Sequence, residues 1–260
     1  MSEEIDCELC NCSQLEQIKT ARSSNMSAGR ADPDSLLDLF WDPLSQPSRS
    51  VKLFLVMCGI PHTDRFVHIK YGENLESQFK KVSSLGRVPV IKSGEFVLSE
   101  SAAIYDYLST KFSHLCPDWL FPSQLEQRSR VNEYLHWHHN NLRLNSALLF
   151  QETFVKPKFK GIPASEEKTS RYEKGLKKAL TELGSYFLQD KTFIATELRP
   201  SIADIHGVCE LMQLRAIGFN FTHVSTKIEF WMQKTIESLN PHFDEIHEEI
   251  LKLGKPTNKL

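Results

Sequence analysis

The chain has 260 residues and a formal net charge of −2, with 31 basic and 33 acidic side chains mixed along its length. This balance leaves no broad basic surface for nucleic acid, and the length suffices for one large or two ordinary domains. No apolar run approaches the roughly 20 residues of a bilayer-spanning helix, and residues 1–6 lack the apolar core of a secretory signal. Six cysteines in such a chain are typical of reduced thiols. The composition therefore predicts a soluble, cytoplasmic protein that binds neither nucleic acid nor membrane.

The two ends of the chain, residues 1–34 and 255–260, lie outside the predicted folded domains. Residues 1–34 are polar and show no periodicity, which predicts a disordered extension. Its Cys7, Cys10 and Cys12 form a compact cluster, but a structural zinc site usually needs a fourth ligand and none is nearby, so we favour free thiols. The tail at 255–260 ends in Asn-Lys-Leu, one residue away from the peroxisomal Ser-Lys-Leu signal, which leaves peroxisomal targeting as an alternative.

Residues 35–113 predict an α/β domain of β-α-β-α-β-β-α order. The predicted elements are a strand at 36–41, a helix at 46–57, a strand at 64–69, a polar helix at 73–82, strands at 88–91 and 96–98 around a turn at 93–95, and a helix at 101–112. This order, with a proline opening the third strand, is typical of thioredoxin-like domains.

The rest of the chain predicts an all-helical domain at 123–254, after a proline-containing linker at 114–122. Two long helices show a single apolar face, one at residues 131, 134, 135, 138 and 142, the other at residues 176, 180, 183 and 187. Ser201 and Asp204 predict a capping box at a third helix start. A last apolar stripe between 243 and 253 fits either core packing or a lid over a cleft, and the basic segment 156–160 predicts a solvated loop.

Several groups point to a small peptide as the ligand. The Val88-Pro89 bond is expected to be cis, leaving the backbone N–H and C=O of Val88 free to pair with an extended peptide. Glu100 and Ser101 follow the fourth strand, and a helix N-terminus favours a carboxylate by roughly 0.3–1 kcal/mol, while Glu100 suits an ammonium. The γ-glutamyl end of glutathione carries both groups on one carbon. Taken alone, Ser101 is better explained as a helix cap, and its combination with Val88-Pro89 is what favours a ligand-binding role.

The loop after the first strand indicates what chemistry the domain performs. Thioredoxin-like oxidoreductases carry Cys-x-x-Cys there, whereas residues 45–48 are Ser-Gln-Pro-Ser, which disfavours a disulfide reductase. A ligand thiol with a pKa of about 8.5 needs roughly 2.7 kcal/mol for a two-unit decrease. A hydroxyl hydrogen bond of about 1.5–3 kcal/mol and the helix N-terminus together supply that amount. Ser45 is therefore a candidate thiolate stabiliser, although an ordinary cap explains the residue by itself.

Residues 42–49, Asp-Pro-Leu-Ser-Gln-Pro-Ser-Arg, resemble the active-site segment of theta-class glutathione transferases. The resemblance extends from about residue 35 to 252 and includes the segments 132–137, 188–191 and 201–204. It implies a homodimer that conjugates glutathione, as co-substrate, to small electrophiles without a metal. The implied residue roles are Ser45 at the thiolate, Val88 at the cysteinyl backbone, Glu100 and Ser101 at the γ-glutamyl group, Arg87 and Asn74 at the glycyl end, and Arg143 in the substrate pocket.

Two departures from the class pattern motivate a different function. Asn74 stands where the class commonly has histidine, and Pro43 replaces an apolar residue just before the catalytic loop. A non-catalytic binding or scaffold protein of the same fold is therefore the alternative hypothesis. A metal site at His136 and His139 is disfavoured, because no cysteine or carboxylate set accompanies them.

Overall fold

The computed structural model describes residues 37–253. The predicted extension at 1–34, with its three cysteines, and the tail at 255–260 lie outside the described residues. Within 37–253 the predicted α/β domain is followed by a helical domain, as expected. In that part of the chain, no helix is long and apolar enough to cross a membrane.

The first domain is built on a mixed four-stranded sheet in the order β2-β1-β3-β4. Its strands are β1 (Leu37–Trp41), β2 (His62–Phe66), β3 (Val90–Ser93) and β4 (Phe96–Ser99). β1 pairs in parallel with β2 and antiparallel with β3, and the predicted hairpin turn joins β3 to β4 through Gly94 at φ 60°. In β1 alternate side chains are fully buried, so this strand forms the centre of the domain core.

Two helices, α1 (Gln46–Cys58) and α3 (Ser101–Lys111), pack together against the sheet. The polar helix predicted at 73–82 was wrong. The segment instead forms two 3₁₀ turns, Ile69–Tyr71 and Glu73–Leu75, and the short helix α2 (Ser77–Lys80). Glu76 between the second turn and α2 has extended backbone (φ −69°, ψ 151°), which interrupts the predicted helix.

The second strand was predicted at 64–69 but ends at Phe66. Beyond it, the backbone N–H of Ile69 donates to the buried carboxylate of Asp42 at 2.9 Å, which turns the chain away from the sheet. This bond joins residues 27 positions apart, so local patterning gives no sign of it.

The second domain is helical throughout. Its helices are α4 (Leu125–His138), α5 (Leu144–Phe150), α6 (Lys156–Lys160), α7 (Glu166–Glu182), α8 (Ile202–Ala216), α9 (Thr226–Leu239) and α10 (His242–Leu251), with π-helical turns at His139–Arg143, Gln151–Val155 and Leu183–Leu188. Segment 156–160 was predicted as a loop and is helix α6 instead. Because its lysines alternate with Pro157 and Phe159, the sequence shows no helical periodicity there.

The predicted apolar faces of the long helices form the core of this domain. The side chains of both predicted faces are buried, namely Val131, Tyr134, Leu135, His138, Leu142, Leu176, Leu180, Leu183 and Phe187. In α10, Phe243, Ile246 and Ile250 are buried, and the helix packs against α1 and α8. The apolar stripe between 243 and 253 is therefore explained by core packing.

The capping box at α8 is confirmed, and it is tied to the core. Asp204 accepts from the backbone N–H of Ser201 at 2.9 Å and from the indole of Trp231 at 2.8 Å. Burial raises the pKa of Asp204 to about 6, although these hydrogen bonds oppose the shift.

Candidate functional site: a polar cleft between the two domains

A cleft of about 100 Å³ separates the first domain from helices of the second. Its lining comprises Pro47, Arg87, Val88, Pro89, Ser99, Glu100 and Ser101 from the first domain, and His139, Arg143 and His206 from the second. Five of the predicted site residues are therefore brought together: Arg87, Val88, Glu100, Ser101 and Arg143. The Val88-Pro89 bond is cis, as expected from the sequence.

Glu100, the residue before the N-terminus of α3, has an unusual backbone conformation. Its φ of 67° and ψ of 110° are rare for a residue with a side chain, and Ser101 follows as the first helical residue. Residues held in such conformations concentrate at ligand-binding sites. The carboxylate of Glu100 and the free N–H groups at the start of α3 therefore border the same cleft. The carboxylate favours a bound cation, and the N–H groups favour a bound anion.

Ser45 is the N-cap of α1 and is 7% exposed. Its Oγ accepts from the backbone N–H of Ser48 at 3.4 Å, and its own N–H donates to the carbonyl of Asp42 at 2.9 Å. Ser45 is not among the residues that line the cleft, which Pro47 of the same helix turn reaches.

The loop before Ser45 is fixed by buried polar groups whose purpose the sequence does not reveal. The Asp42 carboxylate accepts from Leu44 N at 2.6 Å, and Arg49 donates to the carbonyl of Pro43 at 2.8 Å. Arg49 is fully buried, and its other Nη donates to the carbonyl of Cys209 in α8 at 2.8 Å. Arg49 therefore holds the loop before Ser45 against the second domain.

Asn74 does not line the cleft. Its side-chain Nδ2 donates to the carbonyl of Gly86 at 2.8 Å, one residue before Arg87. Gly86 has φ 60°, and a Cβ at that position would lie 2.8 Å from the carbonyl oxygen of Asn74. Asn74 thus supports the turn that presents Arg87.

Arg143 reaches the cleft from the π-helical turn after α4, but its charge is already paired. Its Nη1 donates to Glu210 Oε2 at 2.7 Å and to Gln46 Oε1 at 3.2 Å. Glu210 also accepts from Gln46 Nε2 at 3.1 Å and from Ser146 Oγ at 2.6 Å. Sequence reasoning missed Glu210, although a glutamate inside the otherwise apolar stretch of α8 is a usable signal.

A second polar cluster, also missed from the sequence, lies behind the cleft. Ser50 of α1, Tyr105 of α3 and His206 of α8 meet in the domain interface. Burial lowers the pKa of His206 to about 3, so the imidazole is neutral at physiological pH, and burial raises the pKa of Tyr105.

No cluster in the described part of the chain has the composition of a metal site. In residues 37–253 no group of three or more His, Cys, Asp or Glu side chains is placed to hold an ion. The cysteines described there are Cys58, Cys116 and Cys209, and none of them lines the cleft. The cleft instead combines backbone groups, hydroxyls, a carboxylate and guanidinium groups, which suits a small zwitterionic peptide.

Comparison with known proteins agrees with this chemistry. A family model described as "Glutathione S-transferase, N-terminal domain" matches residues 39–115. Glutathione S-transferase theta-2 of Mus musculus is 35% identical over 226 residues, which cover 86% of this chain and 91% of the mouse protein. Glutathione S-transferase T1 of Arabidopsis thaliana is 34% identical over 228 residues, covering 86% and 92%.

Solved structures give the same result. The apo form of human glutathione S-transferase T1-1 matches with a TM-score of 0.80 and 35% identity, covering 84% of this chain and 90% of the human chain. Human glutathione transferase theta-2, solved in complex with glutathione, matches with a TM-score of 0.78 and 34% identity, covering 83% and 88%. The chain therefore belongs to the theta class of the glutathione transferase family, as residues 42–49 predicted.

Proposed function

We propose that the chain transfers small electrophiles to the sulfur of glutathione, and that Ser45 stabilises the thiolate. The observation that carries this proposal is the state of the Ser45 hydroxyl at the tip of α1. Its oxygen accepts from Ser48 N, while its proton is donated to none of the residues that the structure describes. That proton remains available for an anion placed at the helix N-terminus.

The remaining groups of the cleft suit the three parts of the tripeptide. Ser101 and the N-terminus of α3 take the γ-glutamyl carboxylate, and Glu100 takes its ammonium. The backbone of Val88 pairs with the cysteinyl residue. Arg87 takes the glycyl carboxylate, on the turn that Asn74 supports.

The chemistry needs a thiolate and an electrophilic carbon. Formation of the thiolate releases the thiol proton to water, and the Ser45 hydroxyl together with the α1 dipole lowers the cost of the sulfur charge. The sulfur then attacks carbon, forming a C–S bond as the leaving group departs or an epoxide opens. Arg143, at the border of the second domain, faces the side from which the electrophile approaches.

A homodimer and a cytoplasmic location belong to the same proposal. Both are supported by the class to which the chain belongs, and size-exclusion chromatography with light scattering tests the first. We also propose that the reaction uses glutathione as its only cofactor.

The test is glutathione conjugation by Ser45→Ala over a panel of small halides and epoxides. Loss of one preorganised donor lowers turnover by about 100-fold or more, with little change in glutathione affinity. Ser48→Ala is the matched control, since its buried Oγ has no hydrogen-bond partner among residues 37–253 and its removal leaves Ser45 in place. Unchanged turnover in Ser45→Ala rejects the assignment. Retention of glutathione by the wild-type chain without any conjugation favours the binding-protein hypothesis, which the bonded Asn74 and the recessed Ser45 motivate.

A further inference from the structure

Three polar atoms from three helices form a closed triangle beside the cleft. Ser50 Oγ lies 2.9 Å from His206 Nδ1, and the Tyr105 hydroxyl lies 3.0 Å from the same nitrogen. The two hydroxyls also hydrogen-bond to each other. Ser50 Oγ in addition donates to the carbonyl oxygen of Pro47 at 3.2 Å, within the first turn of α1.

The number of protons in this cluster decides which nitrogen of His206 is protonated. When Ser50 donates its only proton to the carbonyl of Pro47, its oxygen accepts the proton of Tyr105, whose hydroxyl also hydrogen-bonds to the Ser101 side chain. Nδ1 must then supply the proton for its own contacts with the two oxygens. If Tyr105 donated to Nδ1 instead, the close contact between the hydroxyls would have no proton and would be repulsive. The arrangement that satisfies all contacts therefore places the imidazole proton on Nδ1 and leaves a lone pair on Nε2.

The lone pair on Nε2 of His206 is available to a ligand in the cleft. His206 is 8% exposed, lines the cleft, and its Nε2 has no partner among residues 37–253. Nε2 of the neighbouring His138 is enclosed by protein without a hydrogen-bond partner among residues 37–253, whereas Nε2 of His206 is not enclosed, and His206 lines the cleft together with Glu100 and Ser101. The Arg143 guanidinium on the same side is paired with Glu210, which reduces its repulsion of a bound cation.

We propose that His206 is a binding residue whose Nε2 accepts a hydrogen bond from the ammonium group of the γ-glutamyl residue of the bound peptide. The proposal rests on the function proposed above and adds a contact from the helical domain to it. An ammonium has three protons to donate, and Glu100 and His206 accept two of them from different domains. Ser50 and Tyr105 are positioning residues, since they hold the proton on the far nitrogen of the ring.

Paired ligands isolate the ammonium contact. Calorimetric titration of the full-length chain compares S-methylglutathione with the same compound lacking the γ-glutamyl amino group. His206→Leu removes the acceptor, whereas His206→Gln keeps a carbonyl oxygen near the same place and guards against a folding defect. We expect His206→Leu to bind S-methylglutathione about ten-fold more weakly and the amine-free compound with nearly unchanged affinity, and His206→Gln to lie between wild type and His206→Leu.

A spectroscopic measurement tests the tautomer independently of any ligand. The ¹⁵N shifts of the ring nitrogens, assigned by the signal lost in His206→Gln, should show a protonated Nδ1 and an unprotonated Nε2. Equal weakening of both ligands in His206→Leu, or a proton on Nε2, overturns the proposal. A wild-type chain that binds neither ligand shows instead that the proposed glutathione site itself is wrong.

Discussion

Arg143 and Glu210 form an ion pair of 2.7 Å at the border of the cleft, with the glutamate only 1% exposed. Every hydrogen bond to this carboxylate crosses between elements: Arg143 and Ser146 belong to the helical run after α4, and Gln46 begins α1. A buried carboxylate is tolerated when it is paired and fully hydrogen-bonded. The Glu210 carboxylate, through Gln46, therefore joins α1 to the helical domain.

Glu210→Gln removes this charge and leaves Arg143 without its counter-ion. We expect the free energy of unfolding to fall by about 2–3 kcal/mol, less than for a fully enclosed pair because the arginine is partly exposed. Urea denaturation measures the change. Glu237→Gln is the control, since its pair with Lys234 is exposed to solvent and contributes little to stability. Equal losses in the two variants would contradict a structural role for the buried pair.

Gly207 in α8 marks a close approach between helices. A Cβ there would collide with the Tyr134 hydroxyl and lie 2.9 Å from Trp231 Cη2, both of them buried. Gly207→Ala should therefore destabilise the protein by about 1–3 kcal/mol. Gly184→Ala is the matched comparison, because within the described part of the chain its added methyl group would approach only Ile228, at 3.9 Å, and it should raise stability by about 0.5–1 kcal/mol. Thermal melts that rank the two variants in the opposite order would refute this packing argument.

Prediction from the sequence succeeded where local pattern determines structure. The order of the strands along the chain and the start of α3 at Ser101 follow from alternation and turn residues within short segments, and the cis Val88-Pro89 bond follows from the proline at the third strand. The helix predicted at 73–82 was wrong because the extended backbone of Glu76 divides the segment, and the Asn74 side chain bonds to the distant carbonyl of Gly86.

Glu210 and His206 were missed from the sequence for a different reason. Glu210 and His206 reach α1 over sequence separations of 164 and 156 residues, and nothing within α8 indicates which neighbours they meet. Their role depends on how the two domains pack, which no local pattern encodes. A polar residue inside an apolar helix shows only that some partner must exist.

Arg49 is the buried connection between the Pro43 loop and α8. Arg49→Lys replaces a planar donor fork with a single ammonium, which cannot reach the carbonyls of Pro43 and Cys209 together. We expect a loss of about 2 kcal/mol in stability and a fall in turnover, because the loop that positions Ser45 loses its anchor. Arg65→Lys, an exposed residue paired with Asp38, is the control. Turnover as high in Arg49→Lys as in Arg65→Lys would show that the anchor does not position Ser45.

The buried histidines should make stability depend on pH. Burial lowers the folded-state pKa of His206 to about 3 and holds that of His138 well below 6.5. As the pH falls below 6.5, the unfolded chain therefore binds protons that the folded chain refuses, and the free energy of unfolding decreases. For His206 this loss continues until about pH 3. Asp204 acts in the opposite direction, since its folded pKa of about 6 makes the folded state bind a proton first between pH 6 and 3.8.

His206→Gln and Asp204→Asn separate the two contributions. Without the imidazole, the free energy of unfolding should fall less steeply with decreasing pH, by up to about 1.4 kcal/mol per pH unit between 6.5 and 3. Without the carboxyl, it should fall more steeply between 6 and 3.8, because the compensating proton uptake is gone. Urea titrations at half-unit intervals from pH 7 to 5 measure both slopes. Curves for the two variants that run parallel to the wild type would show that neither group changes its proton affinity on folding.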